Sequence, residues 1–180
     1  MCKEVERTKT ARVGRARQVY NPATGARIVA GCLCLSKDNE KVLMISSSKH
    51  KKRWIFPKGG VEDDESDYAM TAQRETWEEA GATGVIGKSL GVIEDMRPAK
   101  AWNKDVAALS ESTGGVIEHP PRSEFHFYEM QVTELFGTYP ESHKRNRDWF
   151  TYGKAREQLI IANRPELLEA LERSSINKKL

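Results

Sequence analysis

The stretch RETWEEAG, residues 74–81, constrains the fold more than any other in this chain. On a helix of 3.6 residues per turn Glu75, Glu78 and Glu79 stand at i, i+3 and i+4 and share one face. Like charges placed this way cost an isolated helix about 0.2–0.5 kcal/mol per pair. Only Arg74, four residues before Glu78, offers a local counter-charge, so the fold must either leave this face in water or bring positive charge to it. The helix itself is well marked over residues 67–80. Ser66 or Asp67 serves as N-cap, Gly81 as the stop, and Ala69, Ala72, Thr76 and Ala80 form a packing stripe.

That stripe needs an apolar layer to rest on, and the flanking sequence supplies strands. RIVAGCLCL from Arg27 and KVLMIS, joined by the turn SKDNE, predict a hairpin. SLGVIED, EFHFYEMQV and DWFTY read as further strands. GKAREQLIIA and RPELLEALER close the chain as helices, the second with Pro165 in its first turn. WIFP leads into a Lys-Gly-Gly turn, and residues 96–123, with four of the seven prolines, read as a long irregular excursion of the kind that often carries substrate contacts. Strands and helices alternate without a regular βαβ rhythm, which predicts an α/β or α+β domain with a mixed sheet.

A chain of 180 residues, 38% hydrophobic and 31% charged, fits one domain. Residues 21–180 are assigned to it, and residues 1–20, polar and basic without periodicity, to a flexible arm. The formal charge of +3 is too small to imply a nucleic-acid or membrane partner. Three cysteines, two of them adjacent on one strand face, suit a reducing interior. No secretion signal or membrane-length apolar run is evident, so a soluble monomer of the cytoplasm or nucleus is expected.

A hard divalent ion such as Mg²⁺ or Mn²⁺ takes oxygen ligands, commonly a few carboxylates with water and substrate phosphates. Glu75 and Glu79, one turn apart, have suitable spacing; the plain alternative is a solvated acidic face. Two neighbours favour the metal. The glycines of KGG let backbone approach a ligand closely, and EDDE adds carboxylates just before the helix.

The segment Gly59 to Ala82, GGVEDDESDYAMTAQRETWEEAGA, resembles the Nudix box: Gly, five residues, Glu, seven residues, Arg-Glu, an apolar residue, any residue, Glu-Glu, any residue, Gly. Counted from Gly59 the first Glu is Glu65, but eight residues separate it from Arg74. Counted from Gly60 the spacing is kept and Ser66 takes the Glu position; Thr76 stands where an aliphatic residue is commoner. From about Gln18 to Ile176 the chain is also similar to the diphosphoinositol polyphosphate phosphohydrolases, in particular their fungal branch, which also cleaves diadenosine polyphosphates. SSSKHKKRWIFPKGG, IEDMRP, HPPRSEFHFYEM, HKRNRDWF and RPELLEAL carry that likeness.

The resemblance implies a Nudix-like α/β/α sandwich with a mixed β-sheet and a catalytic loop-helix. It implies Mg²⁺- or Mn²⁺-dependent hydrolysis of phosphoanhydrides in diphosphoinositol polyphosphates, with diadenosine polyphosphates and inorganic polyphosphate as further substrates. Glu75, Glu79 and a backbone carbonyl of Lys58 or Gly59 would hold metal. Glu78 would be the general base, a role that the spacing alone does not assign among the three glutamates, with Arg74 orienting a carboxylate and Glu65 as a further catalytic residue. Substrate contacts carried over fall on Arg27, Ser47, Ser48, Lys49, Lys58, Arg97, Arg145 and Arg164.

The residues agree independently. Lys49–Arg53, Arg97 with Lys100 and Lys104, and His143–Arg145 with Arg147 form basic clusters at predicted strand ends, and a polyphosphate needs cations converging from several segments. Two other readings stay open: a dinucleoside polyphosphate or mRNA cap hydrolase with capped RNA as partner, and a non-catalytic inositol phosphate or polyphosphate-binding module.

Overall fold

After Arg27, every residue of strand β1 (Arg27–Leu35) is buried. A strand apolar in a continuous run needs cover on both faces. The computed structural model describes residues 5–97 and 120–180. In it β1 forms the expected hairpin with β2 (Lys41–Ser46) and runs parallel to β6 (Ser123–Leu135) along its whole length. Outward from these, β3 (Trp54–Ile55) pairs with β2 and β5 (Ala82–Asp95) with β6, both antiparallel. The short β4 (Lys58–Gly60) pairs with β1, and β7 (Arg147–Thr151) with β2, completing a mixed sheet of order β3-β2-β1-β6-β5.

Helix α1 (Tyr68–Ala80) covers β1 and β4 from one side, with Ala72, Thr76 and Ala80 fully buried and Ala69 only partly so. Thr76 meets the thiols of Cys32 and Cys34, which share that face; burial pushes the Cys32 thiol up to about 12 and leaves it an inert core group. Helix α2 (Tyr152–Ile161) packs on β2, β3 and β7, and helix α3 (Pro165–Arg173) packs on α2 and β5. Leu159, Leu167 and Leu171 complete the core there. The result is the expected α/β/α sandwich.

Both ends of α1 are set by side-chain chemistry. Asp67, not Ser66, is the N-cap, its carboxylate accepting from Met70 N at 2.8 Å. Gly81 stops the helix with φ +59°, its N–H donating to Trp77 O at 3.0 Å. A β-carbon there would lie 2.3 Å from the Tyr139 ring, so space as well as conformation requires glycine.

Four local readings change. The KGG segment is strand β4 rather than a turn. Strand β5 begins at Ala82, directly after the helix, and not at Ser89; register shifts near Gly84 and Ser89 break the alternation by which a strand is recognised. At Gly84 the Gln131 carbonyl passes where a β-carbon would stand, at 2.0 Å. Tyr152 opens α2 instead of ending the preceding strand. Residues 5–20, expected as a flexible arm, lie against the domain: Val19 N donates to Val61 O at 2.9 Å, and Trp77 Nε1 donates to Thr8 O at 3.0 Å. Most of the 96–123 excursion, including Lys100 and Lys104, lies outside the described residues.

Replacing the cap by Asp67→Ala is expected to lower stability by about 1 kcal/mol. Urea unfolding followed by circular dichroism checks this, with a lower midpoint and an unchanged slope.

Candidate active site

The charge problem posed by RETWEEAG is met in part by one guanidinium, which binds three buried carboxylates, Glu65, Glu75 and Glu78. Arg74 Nη1 donates to Glu75 Oε1 at 2.9 Å and Glu78 Oε2 at 3.3 Å, while Nη2 donates to the Gly60 carbonyl at 3.1 Å. Its Nε and Nη2 form a fork on the two oxygens of Glu65 at 2.9 and 3.0 Å. The Glu65 side chain is 2% exposed, and its Oε1 also accepts from Glu62 N at 3.0 Å. Ser66 is exposed and turned toward the Met70 sulfur. Of the two residues between which the loop spacing left a choice, Glu65 is the one turned to Arg74.

Strand β4 sets the second wall. Cys32 N donates to Pro57 O at 3.2 Å and Val61 N to Ile28 O at 2.9 Å. Antiparallel pairs alternate, so between those two Ala30 and Gly59 are the pair that exchanges bonds, and the Gly59 carbonyl is committed to the sheet. The backbone of Lys58 and Gly60 points the other way, to α1: Lys58 N donates to Glu79 Oε2 at 3.2 Å. Of the two carbonyls considered as ligands, that of Lys58 faces the glutamates. Gly59 contributes by lacking a side chain, since a β-carbon there would sit 2.1 Å from the Glu75 carboxyl carbon.

Cations converge from distant segments. Arg145 Nη2 donates to Glu79 Oε1 at 3.4 Å, its Nη1 to Ser46 O at 3.0 Å and its Nε to Glu141 at 3.0 Å. Arg164 pairs with Glu166, which also lies 3.8 Å from Arg97; Arg97 forks onto Asp95 at 2.9 and 2.7 Å. Burial, then the charges of Arg164 and Arg145, depress the Lys58 ammonium to about 7, against the opposing pull of Glu79 and Glu166. Lys58, Arg97, Arg145 and Arg164 thus form one electrostatically linked group beside the glutamates. Arg97 also lines a cleft of about 300 Å³ with Met96, Pro165 and Glu169.

The NUDIX domain family model matches residues 25–170. The chain belongs to the Nudix superfamily. Among curated relatives it is 33% identical over 159 residues to human "Diphosphoinositol polyphosphate phosphohydrolase 3-alpha", covering 87% of this chain and 82% of that protein. It is 34% identical over 174 residues to "Nudix hydrolase 21, chloroplastic" of Arabidopsis thaliana, covering 94% and 75%. Among solved structures, a NUDIX hydrolase from Nitrosomonas europaea superposes with a TM-score of 0.60 at 13% identity, over 82% of this chain and 87% of that one. A C. elegans Ap4A hydrolase gives 0.54 at 19%, over 81% and 93%. At these identities the structures bear on the fold alone.

In this Nudix hydrolase several expected contacts stand apart from the cation group. Ser47 Oγ accepts from His50 N at 3.3 Å and so shapes the turn after β2. Ser48 and Lys49 are exposed and make no hydrogen bond or ion pair among the described residues. Arg27 donates to the Gln18 side chain at 3.0 Å, within the field of Glu75, and burial holds its pKa down. Arg147, counted in the third basic cluster, instead caps the C-terminus of α1. It donates to Ala80 O at 2.6 Å and stacks on Tyr139. Trp54 and Phe150 pack on each other at 5.0 Å, and Phe56 is fully buried, in keeping with core roles.

Sequence reasoning missed Arg12, Glu62, Glu141 and Glu166. Arg12 reaches Glu78 across 66 residues and Glu62 across 50, which no local pattern shows, whereas Glu141 stands four residues from Arg145 and Glu166 two from Arg164, and the EDDE run was a signal for Glu62.

No three His, Cys, Asp or Glu side chains among the described residues converge as a ready-made metal cage. The donors that do fit a hard cation are the Glu75 and Glu79 carboxylates and the Lys58 carbonyl, which leaves positions for water and phosphate oxygens. Burial raises Glu75 to about 8, helped by Glu79 and Glu78 and opposed by Arg74. Burial likewise raises Glu79 to about 7, opposed by Arg145 and Lys58. Two carboxylates so reluctant to ionise, though already touching arginines, mark a place short of positive charge.

Because both folded values exceed the ordinary 4.5, the folded chain keeps protons that the unfolded chain has released, and metal-free stability falls as pH rises from about 5 to 7. Lys58 acts with the opposite sign and only above that window, between about 7 and 10.5. Thermal melts in chelator should show the slope. Glu75→Gln should flatten it, and millimolar Mg²⁺ should stabilise wild type more at pH 7 than at pH 5.5. A slope unchanged in Glu75→Gln would contradict the assignment.

Proposed function

We propose that this Nudix hydrolase cleaves phosphoanhydride bonds in diphosphoinositol polyphosphates, and also accepts diadenosine polyphosphates and inorganic polyphosphate. The observation that carries this reading is the group of Lys58, Arg97, Arg145 and Arg164 set against buried glutamates. A substrate carrying many phosphates needs fixed cations arriving from several directions, and a compact monophosphate does not. The human relative's name, at 33% identity, supports the same class.

Mg²⁺ or Mn²⁺, held by Glu75, Glu79 and the Lys58 carbonyl, would neutralise charge on the phosphoryl oxygens and acidify the attacking water. The chain's own residues do the rest. Lys58, Arg145 and Arg164 bind the phosphates and offset the charge spread over them as the bridging bond lengthens. Glu78 accepts the proton of the attacking water; each of its oxygens takes one hydrogen bond, so a lone pair is free on each. Arg74, held in plane by the Glu65 fork, keeps Glu78 oriented and does not touch substrate. Arg97, fixed by Asp95, extends the cationic wall toward the outer phosphates.

Glu78→Gln is expected to lower kcat by about 10²–10⁴-fold, the span typical of a general base. Steady-state hydrolysis of diphosphoinositol pentakisphosphate with Mg²⁺ checks this, and activity within a few-fold of wild type rules out the base role. Arg164→Ala should raise KM for the inositol substrate more than for a diadenosine polyphosphate. Chromatography of products from a panel of the three substrate classes measures that preference, and turnover of none of them overturns the enzymatic reading.

A further inference from the structure

The N-terminal segment crosses the candidate site. Trp77 Nε1 donates to Thr8 O at 3.0 Å, and Arg7 stacks on the Phe136 ring at 5.1 Å, which anchors the segment to the back of α1. Four residues on, Arg12 N donates to Glu78 Oε1 at 3.2 Å. The Arg12 guanidinium is clamped to Asp64 at 2.8 Å and to Glu62 at 3.0 Å, both in the loop that also carries Glu65. Beyond it Arg17 donates to Asp63 at 2.8 Å and receives its backbone N–H at 2.8 Å. The Arg12 amide is thus tied from both sides and by its own side chain.

Glu78 needs such a donor. The terminal torsion of a glutamate is soft, so one hydrogen bond leaves the carboxylate plane free to turn about it. Arg74 supplies that one bond, but it is shared with Glu65, Glu75 and Gly60 O, and at 3.3 Å its contact with Glu78 is the longest of the set. Among the described residues the Arg12 amide is the other donor to this carboxylate. It binds the opposite oxygen, so the two bonds together fix the plane.

We infer that Arg12 is a positioning residue for hydrolysis, its backbone N–H aiming the Glu78 carboxylate and its guanidinium, clamped by Glu62 and Asp64, aiming that N–H. The inference rests on the proposed role of Glu78 as base. It makes residues 8–17 part of the working site, through their bonds to α1 and to the acidic loop. A fraction of an ångström of misplacement in a proton acceptor is felt in the chemical step more than in binding.

The test separates amide from side chain in the full-length chain. Arg12→Pro removes the N–H, Arg12→Ala keeps it but loses the clamp, and Arg12→Lys keeps a cation for Glu62 and Asp64. With diphosphoinositol pentakisphosphate and Mg²⁺, kcat is expected to fall by about tenfold or more in Arg12→Pro and by a few-fold in Arg12→Ala, and to recover largely in Arg12→Lys, with KM within about twofold throughout. Mn²⁺ affinity, read by electron paramagnetic resonance of the free ion, should stay within about twofold, since Glu75 and Glu79 are untouched.

A folded Arg12→Pro with wild-type kcat overturns the inference. So does a loss that appears only in KM, or one that tracks Mn²⁺ affinity. If Arg12→Pro melts early, the other pair decides: at least threefold higher kcat in lysine than in alanine supports the role, and equal values overturn it. Glu78→Gln in the same assay keeps the two readings apart. If that variant is active, the base assignment itself fails. If it is inactive while the Arg12 variants match wild type, only the positioning role is lost.

Discussion

The guanidinium of Arg74 is the contact on which the site depends. It joins the glutamate helix to strand β4 through Gly60 O, to the preceding loop through Glu65, and to the face of its own helix through Glu75 and Glu78. A planar fork with five donors can serve these acceptors at once; a lysine ammonium, a point charge on a flexible stem, cannot span them in one geometry. Around this joint three elements that meet only through tertiary folding become one rigid wall, and the spacing of Glu75, Glu78 and Glu79 becomes usable rather than merely repulsive.

A second balance lies next to it. Lys58, Arg145, Arg164 and Arg97 are each held near a carboxylate, namely Glu79, Glu141, Glu166 or Asp95. Burying cations without partners is costly, and burying them fully neutralised would leave nothing for a ligand. Here the fields overlap incompletely. Burial, and then the charges of Arg164 and Arg145, push Lys58 down, while burial pushes Glu75 and Glu79 up, so cations and carboxylates face each other across a poorly solvated site.

Much of this was legible in the residues. The helix, its stop at Gly81, the hairpin, the mixed sheet and the presence of Arg74 and Arg145 beside the glutamates follow from local pattern or from resemblance to the Nudix family. The misreadings share a cause. KGG looks like a turn because glycine has no side chain to show the period of a strand, and the start of β5 is hidden by bulges that interrupt alternation. Arg147 was grouped with Arg145 because they are neighbours in a strand-end cluster. Residues two apart in an irregular approach need not face the same way, and this one turns to the carbonyls at the end of α1. The basic segment before residue 20 has no period at all, and its order comes from partners in α1 and the acidic loop.

The sequence by itself determined what is short-range: which residues form α1, that three carboxylates share its face, that Ser66 or Asp67 and Gly81 suit its ends, and that this face must lie in water or meet positive charge. These follow from backbone geometry within a few turns. The tertiary structure decided what depends on contacts between residues far apart in the chain. It chose Glu65 over Ser66 by burying one and exposing the other. It turned the Lys58 carbonyl to the glutamates through the register of β4 on β1, and set Arg145 on Glu79 and the Arg12 amide on Glu78, each across 66 residues. No local pattern encodes such pairings, because they arise only when the sheet fixes where each loop ends.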